Sequence, residues 1–399
     1  MGEKINLKDV KKKKRKEEKS NLVNVIIFAI LFVMIIALSL ATYVKTKNID
    51  VFKRCKFVEK HISDVFKKKE EKIYFELNFD LSDKPKVTTY KGNVVMCSKE
   101  SLKIYNNNGE LKNSIDVDFK TPIVKSKGNY LVVANMDGRE VIFFDGLKKK
   151  WERKQSGNII NIDINKNGYV AVVHKGENIL SEVTVYNKNG EECLVKGKAS
   201  NYIVDAKLAN NNREIVINCI DTSGIRLNSI FEFIDIDGKN VQTVVSHEDK
   251  LFLDAKFAKD NFVALTGDEV ICYDCEHNET WRKKLNNKIY CFNVCDDKYI
   301  VLDMATNKAN DSLYRDNTNV KILNIKGNEV NTINVDNIVK NISVYDDIIA
   351  LNLGKEIKLY TGKGRYIKSI TSKIEVDKID FINKGTVVLL TKNNLIIKN

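Results

Sequence analysis

Short alternations of apolar and polar residues, separated by turn residues, run along most of this chain. One such stretch is Val183-Thr-Val-Tyr186, which alternates with the two-residue period of a β-strand and leads into Asn-Lys-Asn-Gly190. A second strand-like stretch, Glu192-Cys-Leu-Val195, follows at once. Asn-Gly predicts a tight hairpin turn, because both central residues of such a turn prefer positive φ.

Related units recur along the chain. The last apolar residues before the successive turns are Tyr105, Phe144, Tyr186, Ile234, Tyr273, Leu323 and Tyr360, at steps of 39, 42, 48, 39, 50 and 37 residues. A period of about 40–45 residues with several short strands per unit is typical of propeller blades. In the third unit the strand signals are Ile159–Ile164, Tyr169–His174, Glu182–Tyr186 and Glu192–Val195.

The last unit is incomplete, because it has only three strand signals before the chain ends at Asn399. An additional strand signal, Ile73–Phe79, precedes the first full unit. We predict that this stretch supplies the missing fourth strand, since pairing the two ends closes the ring and removes an exposed sheet edge. The predicted fold is all-β, a propeller of about eight blades over residues 73–399, with seven blades as the alternative.

Two units carry an Asp after the third strand and a Trp early in the fourth, in Phe144-Asp-Gly…Trp151 and Tyr273-Asp…Trp281. In this respect the chain resembles quinoprotein-like (pyrroloquinoline-quinone-repeat) and WD40-like propellers. The other units have different residues near the Trp position, namely Leu111, Cys193, Val241, Val330 and Tyr366. With its N-terminal segment, the chain also resembles uncharacterised membrane-anchored propeller proteins of Gram-positive bacteria.

The N-terminal segment predicts a membrane anchor. Residues 1–20 hold nine basic and four acidic residues, which is typical of a disordered cytoplasmic tail beside an anionic lipid surface. Residues 21–44 contain the uncharged stretch Leu22–Val44, long enough to cross the bilayer as a helix. A cleaved signal peptide is the alternative, because Ser39-Leu-Ala41 is a small-x-small site.

Residues 45–72 follow as a predicted stalk helix. Apolar residues at steps of three and four indicate an amphipathic helix: Val51, Phe52, Cys55, Val58, Ile62, Val65 and Phe66. It could pack on the propeller, associate with a second copy or lie on the membrane. The basic tail predicts a single-pass protein in the cell membrane, with its N-terminus in the cytoplasm and its propeller outside.

Eight cysteines raise the question of a metal site. Cys272-x-x-Cys275 and Cys291-x-x-x-Cys295 are spaced like zinc ligands. However, Cys272 and Cys291 fall on different blades, about 10 Å apart, whereas zinc needs thiolates at about 2.3 Å. We therefore predict no metal at these cysteines, which leaves a disulfide or ordinary buried thiols.

Polar residues recur on the predicted innermost strands of six blades: Asp163, Asp205, Asp254, Asn293, Asn341 and Asp380. Equivalent positions of a propeller form a ring around its central channel. The six residues are therefore the candidate binding residues, for a cation or a basic ligand. The alternative is that each side chain bonds the backbone at a strand end, as Asp and Asn often do.

The sequence contains no motif of a hydrolase, a P-loop enzyme or a zinc protease, and its four His are dispersed. No vicinal cysteine pair exists, so the redox role and the cofactor of quinoprotein dehydrogenases are not implied. The chain after the tail has a net charge of +8, which would favour anionic wall or membrane polymers, and the alternative is that its lysines are simply dispersed over solvated turns. The basic tail abuts an apolar segment and does not point to nucleic acid.

Together these features predict a non-catalytic extracytoplasmic binding or assembly module without a cofactor. Its partner would be a protein, a peptide or an anionic wall polymer. One alternative is an extracytoplasmic quinoprotein-like enzyme, or a cofactor- or metal-binding sensor, that uses the propeller channel. Another is a sensor that signals through its cytoplasmic tail.

Overall fold

The computed structural model describes residues 72–238, 241–306 and 318–399, which lie in one compact unit, Glu71–Asn399. This part of the chain is built of β-strands. None of its residues forms a helix with the length and apolar character that crossing a membrane requires. The predicted tail, membrane helix and stalk helix lie outside the described residues, apart from Lys72, and stay predictions.

The described residues form thirty-two strands. The strands of the first half are β1 (Ile73–Asn78), β2 (Lys86–Tyr90), β3 (Asn93–Cys97), β4 (Ser101–Asn106), β5 (Leu111–Asp116), β6 (Thr121–Lys127), β7 (Tyr130–Met136), β8 (Glu140–Asp145), β9 (Lys148–Lys154), β10 (Ile159–Ile164), β11 (Val170–His174), β12 (Ser181–Tyr186), β13 (Glu192–Lys198), β14 (Asn201–Leu208), β15 (Glu214–Asp221) and β16 (Asn228–Asp235). Those of the second half are β17 (Val241–His247), β18 (Asp254–Ala258), β19 (Asn261–Leu265), β20 (Glu269–Tyr273), β21 (Glu279–Lys284), β22 (Ile289–Cys295), β23 (Tyr299–Ala305), β24 (Thr318–Asn324), β25 (Glu329–Val335), β26 (Asn341–Tyr345), β27 (Ile348–Asn352), β28 (Glu356–Thr361), β29 (Tyr366–Thr371), β30 (Val376–Asn383), β31 (Thr386–Thr391) and β32 (Asn394–Lys398).

The strands form eight blades of four antiparallel strands each. Blades 1 to 7 take consecutive sets from β2–β5 to β26–β29, and a single parallel bridge between Met136 and Ile159 joins blades 2 and 3. Blade 8 has the order β30-β31-β32-β1, so its outermost strand comes from the N-terminal side. The eight-bladed prediction is confirmed, and the seven-bladed alternative is excluded.

The ring closes as the sequence predicted. β1 pairs with β32 in antiparallel register from Ile73 opposite Lys398 to Asn78 opposite Asn394. The first strands of successive blades contact one another from β2 to β30, and β30 in turn contacts β2. The pairing therefore leaves no incomplete blade whose third strand would be an open edge.

The apolar core is divided among the blade interfaces. Eight clusters of buried apolar side chains occur in the described residues, and each lies between two neighbouring blades. The cluster between blades 8 and 1 includes Leu395 and Ile397 on one side and Val94 on the other. Each sheet thus buries both faces only because it has a neighbour on each side, which makes a closed ring the stable arrangement.

The turns between third and fourth strands share a geometry that differs in one detail from the prediction. In the turn after β12 only Gly190 has positive φ, at 82°. Asn187 accepts hydrogen bonds through its side-chain oxygen from the backbone N–H groups of Asn189 and Glu191, at 2.9 and 3.1 Å. The result is a longer hairpin loop with one glycine in the left-handed region and a bulge after it. Asn106, Asp274 and Asn324 make the same pair of contacts.

The glycine of this turn is also required by the neighbouring blade. A Cβ atom on Gly190 would lie 2.8 Å from the ring of Trp151, and one on Gly327 would lie 2.8 Å from the ring of Trp281. Each Trp indole N–H donates to a carbonyl of the same turn, at Lys188 and Ile325 respectively. The two Trp side chains therefore fasten blade 2 to blade 3 and blade 5 to blade 6.

The other blades have different residues at this position. Pairing with the third strand assigns it to Asn113, Leu194, Thr243, Asn331 and Lys368. These positions lie one or two residues after the predicted Leu111, Cys193, Val241, Val330 and Tyr366, because a bulge follows each turn.

Candidate functional site: the central channel

The first strand of each blade lines the central channel, and its pairing with the second strand aligns the blades. This pairing identifies one equivalent position in the first strand of every blade, which lies opposite a residue near the middle of the second strand. The residues at this position are Val87, Val124, Ile162, Ala206, Ala255, Phe292, Ile342 and Ile379. The residues one before them form what we call the first tier: Lys86, Ile123, Asn161, Asp205, Asp254, Cys291, Asn341 and Lys378. The residues one after them form the second tier: Thr88, Lys125, Asp163, Lys207, Lys256, Asn293, Ser343 and Asp380. The two tiers are about 7 Å apart along each strand, since strands rise about 3.3 Å per residue.

The six candidate residues do not share one level, and in this respect the prediction was wrong. Asp205, Asp254 and Asn341 belong to the first tier, whereas Asp163, Asn293 and Asp380 belong to the second. The reason is that the turn between first and second strands varies from two residues in blade 7 to five in blade 3, as the strand bounds show. The six residues were aligned by their distance in sequence from the second strand. Because the turn length varies, that alignment places some of them two residues away from the equivalent position, in the other tier.

Each of these six side chains forms a hydrogen bond with a backbone group. Four of them accept the N–H of the next residue: Asp205, Asp254, Asn293 and Asp380. Asp163 accepts the N–H of Leu208 in the next blade at 2.9 Å, and Asn341 donates to the carbonyl of Ile379 at 3.1 Å. All six thus form hydrogen bonds with backbone groups, which is the structural role that the sequence left as the alternative. Their role in ligand binding stays a prediction.

The sequence reading missed the lysines that share the channel with these carboxylates. Lys207 Nζ lies 2.8 Å from Asp205 Oδ2 and 3.8 Å from Asp254 Oδ1. Lys256 Nζ lies 3.4 Å from Asp254 Oδ2, and Lys125 Nζ lies 3.9 Å from Asp163 Oδ1. A signal was available, because Lys207 and Lys256 come two residues after Asp205 and Asp254 and therefore share their strand face.

These channel charges stabilise one another away from bulk water. Burial by itself would lower the pKa of Lys207, but Asp205, Asp163 and Asp254 outweigh it and raise this pKa above its ordinary value. Burial raises the pKa of Asp205, against the influence of Lys207 and Lys125. Burial also lowers the pKa of Lys125, and the nearby charge of Lys207 adds to that effect. Removal of one member would leave its partners with uncompensated buried charge.

Six of the eight second-tier residues, all except Ser343 and Asp380, form the floor and wall of a cavity of about 660 Å³. Its mouth is lined by Lys127 at the end of β6, by Asp296 and Asp297 in the turn after β22, and by Asp346 in the turn after β26. We call this side of the ring the cavity end. It carries the turns between first and second strands and between third and fourth strands, and its cavity has the volume of a small-molecule pocket.

The opposite end, which carries the blade-to-blade connections, has a different character. Exposed apolar side chains lie at or just before the first strand of six blades, and we call them the collar: Leu81, Tyr202, Leu253, Tyr290, Ile338 and Ile374. They are between 43 % and 62 % exposed. Ile225, Leu227 and Leu251 are further exposed apolar residues on loops of this collar end.

A buried histidine–carboxylate pair lies at the rim of the cavity end. His277 takes the left-handed position of the blade 5 turn, with φ 66°, where other blades have glycine. Its Nε2 is 3.0 Å from Glu214 Oε1 in blade 4, and its Nδ1 is 3.1 Å from the hydroxyl of Thr243. Burial, with a smaller contribution from Asp235, raises the pKa of Glu214 to about 7, and burial lowers the pKa of His277. Both pKa shifts therefore favour the neutral forms of the two side chains, a protonated Glu214 and a deprotonated His277.

The cysteines of the described residues have free thiols. Burial raises the pKa of Cys97, Cys219 and Cys295 to about 12, as expected of unreactive core thiols. Within the same part of the chain, no group of His, Cys, Asp or Glu has the arrangement of a metal site. Cys55 lies outside the described residues.

Comparison with known proteins adds a family and a fold. A family model described as a family of unknown function (DUF5711) matches residues 64–397. No curated protein matches the sequence. Among solved structures, the chain is similar to BamB from Moraxella catarrhalis, with 12% identity and a TM-score of 0.54 over 82% of this chain and 97% of that one. It is also similar to the C-terminal WD40 domain of Sif2, with 10% identity and a TM-score of 0.61 over 82% and 98%. At these identities the similarity concerns the propeller fold alone.

Proposed function

The chain belongs to the DUF5711 family, and we propose that it is a non-catalytic binding or assembly module, tethered to the cell membrane by residues 22–44, with its propeller outside the cytoplasm. In this proposal the collar binds a protein partner. The anchor rests on the uncharged stretch Leu22–Val44, and the sidedness on the basic tail before it.

The observation that carries this proposal is the collar. Single exposed apolar residues are common on soluble domains, but here six of them lie near the beginning of the first strand of six blades, or within five residues before it, at one end of the ring. Their side chains lie at the ends of first strands or on the short connections before them, so the scaffold holds them in place. Interfaces are centred on such apolar and aromatic residues with a polar rim, and a protein surface is the partner that can cover them.

A site-specific crosslinking experiment tests the partner. A photoreactive phenylalanine is placed at Leu253 or Tyr202 of the full-length protein in its native membrane. The matched control position is Tyr366, which is equally exposed but lies on an outermost strand. We expect a discrete protein adduct from the collar positions only, and its loss when the neighbouring collar residue is changed to Asp. Equal adducts at Tyr366, or none at either collar position, would refute the proposal.

The exposed Cys275 offers a test of sidedness. In a variant that carries Cys55→Ser and Cys193→Ser, a membrane-impermeant thiol reagent should label the full-length protein in intact cells, and the addition of Cys275→Ser should remove this labelling. Labelling that appears only after the cells are opened would place the propeller in the cytoplasm. That result would contradict the proposed location but leave the collar test valid.

A further inference from the structure

The charges around the cavity mouth are separated by sign. Lys125 and Lys127 stand on β6 of blade 2, whereas Asp296 and Asp297 lie in blade 6 and Asp346 lies in blade 7. Blades 2 and 6 are four positions apart in a ring of eight, so they face each other across the channel. The mouth therefore has a cationic wall and an anionic wall on opposite sides.

These mouth charges differ from the floor charges in how they are compensated. On the floor, Lys207 and Lys256 contact carboxylates of their own and neighbouring strands. Among the residues that the structure describes, no ion pair involves Lys127, Asp297 or Asp346. Asp296 pairs with Lys298 at 2.5 Å in its own turn.

Lys125 is only loosely held. Its ammonium nitrogen is 3.5 Å from Asn161 Oδ1 and 3.9 Å from Asp163 Oδ1, so both contacts are long for a charged group. Lys125 is two residues before Lys127, and both line the cavity. The cationic wall thus offers two ammonium groups along one strand.

We propose that the cavity binds a short peptide with a free amino terminus and a free carboxyl terminus. The carboxylate would lie against Lys125 and Lys127, and the ammonium group against Asp297 and Asp346. An anionic ligand alone would leave the aspartates facing it, and a cationic ligand alone would leave the lysines facing it, so a zwitterion matches both walls. The ligand must also be elongated, because the two walls lie across the channel and the cavity of about 660 Å³ is large for a single amino acid.

This site is independent of the collar and of the protein partner proposed for it. It also differs from the predicted ring of Asp and Asn residues, because the groups that would contact the ligand are Lys125, Lys127 and the turn aspartates rather than the six predicted residues. In this proposal the channel carboxylates stabilise the floor of the cavity, and the charged side chains of the cationic and anionic walls bind the ligand.

The test is calorimetric titration of the full-length protein in detergent with trialanine. N-acetyl-trialanine lacks the cationic terminus, and trialanine amide lacks the anionic one. We expect saturable binding of trialanine, weakened about tenfold to a hundredfold by either block, as for loss of a charge-assisted hydrogen bond. Absence of saturable binding, or equal binding of the blocked peptides, would overturn the proposal.

Two sets of variants assign the ends of the ligand. Lys127→Gln should weaken binding of trialanine but should have little further effect on trialanine amide. Asp297→Asn with Asp346→Asn should weaken trialanine but spare N-acetyl-trialanine. Asn is chosen because both aspartates have positive φ, at 48° and 47°, which Asn tolerates.

Matched controls lie at the collar end. Lys120→Gln changes an exposed lysine of the same blade, and Asp137→Asn changes an aspartate that also has positive φ, at 63°. Neither should alter the affinity for trialanine. Equal losses in mouth and control variants would show a general effect of net charge and would refute the assigned orientation.

Discussion

The cavity end and the collar end of this ring present different kinds of side chains, charged at the first and apolar at the second. At the cavity end, charged side chains are held by hydrogen bonds and short turns, and four of the hairpin turns repeat one Asx geometry. At the collar end, apolar side chains are exposed on or beside connections that range from two residues before β14 to seven before β2. The usual arrangement of apolar inside and polar outside is locally reversed at both ends.

Packing explains the difference. A turn at the cavity end must fit under a side chain of the neighbouring blade, as Gly190 fits under Trp151. This constraint repeats from blade to blade, so the turn geometry repeats as well. The collar connections only have to reach the start of the next first strand, and they are therefore freer to vary and to carry recognition residues.

The largest expected effect separates a structural charge from an exposed apolar residue. Lys207→Met leaves Asp205 as a buried carboxylate without its main counter-ion and leaves Asp254 with Lys256 alone, and we expect a loss of about 3–5 kcal/mol of unfolding free energy. Leu253→Asn at the collar should change it by less than about 0.5 kcal/mol. Denaturant titration of the full-length protein measures both.

A second variant sharpens the Lys207 result. The double variant Lys207→Met with Asp205→Asn should recover part of the loss, because the carboxylate that lost its counter-ion is removed as well. If Lys207→Met were as harmless as Leu253→Asn, the channel charges would not support the floor, and the contrast between the two ends would disappear.

A smaller effect distinguishes the turns of the two ends. Gly327→Ala at the cavity end should cost about 2–4 kcal/mol, because the residue has φ 80° and its Cβ would meet Trp281. Gly267→Ala, in a loop at the collar end, meets no atom within 4 Å and should be neutral or slightly stabilising. Thermal or denaturant unfolding compares the pair. A loss for Gly267→Ala as large as that for Gly327→Ala would contradict the packing explanation.

The smallest effect concerns pH and the buried pair of Glu214 and His277. The raised pKa of Glu214 means that its contribution is complete below about pH 4.5 and is lost as pH rises through about 7. The lowered pKa of His277 acts in the opposite direction, because stability is lost as pH falls below about 6.5. In the wild type the two trends oppose each other.

Single variants should separate these trends. In His277→Asn only the Glu214 trend remains, so the unfolding free energy should fall by about 1–2 kcal/mol from pH 5 to pH 7. In Glu214→Gln it should instead rise over this range. Unfolding curves at several pH values, referred to the double variant, give both slopes. Slopes of equal sign would show that the pair does not favour its neutral form.

Much of the fold was predictable because its signals are local. In blade 3, the alternation of apolar and polar residues predicted β10 with the observed bounds. It predicted the ends of β11, β12 and β13 to within three residues. The isolated strand signal Ile73–Phe79 predicted ring closure, because a final unit with three strands needs a fourth. The turn type was less accessible, since it depends on two hydrogen bonds that the side-chain oxygen of Asn187 accepts, and these compete with the ordinary two-residue turn.

The candidate site was predictable only in part. The acidic and amide residues of the first strands were visible as a recurring pattern, but their levels were not, because turn length and register set them. Lys207 could have been inferred from its spacing to Asp205. The opposition of Lys127 and Asp297 could not, since they are brought to one cavity by the closed ring and not by any nearby sequence.

The amino-acid sequence thus determined the strands, their grouping into blades and the need to join the two ends of the propeller, because each of these follows from short-range patterns of polarity. Tertiary structure decided which side chains share a tier, which charges compensate one another and which remain at the mouth of the cavity. Those outcomes depend on strand register and on the number of blades around the ring, so residues more than a hundred positions apart become neighbours only after the ring has closed.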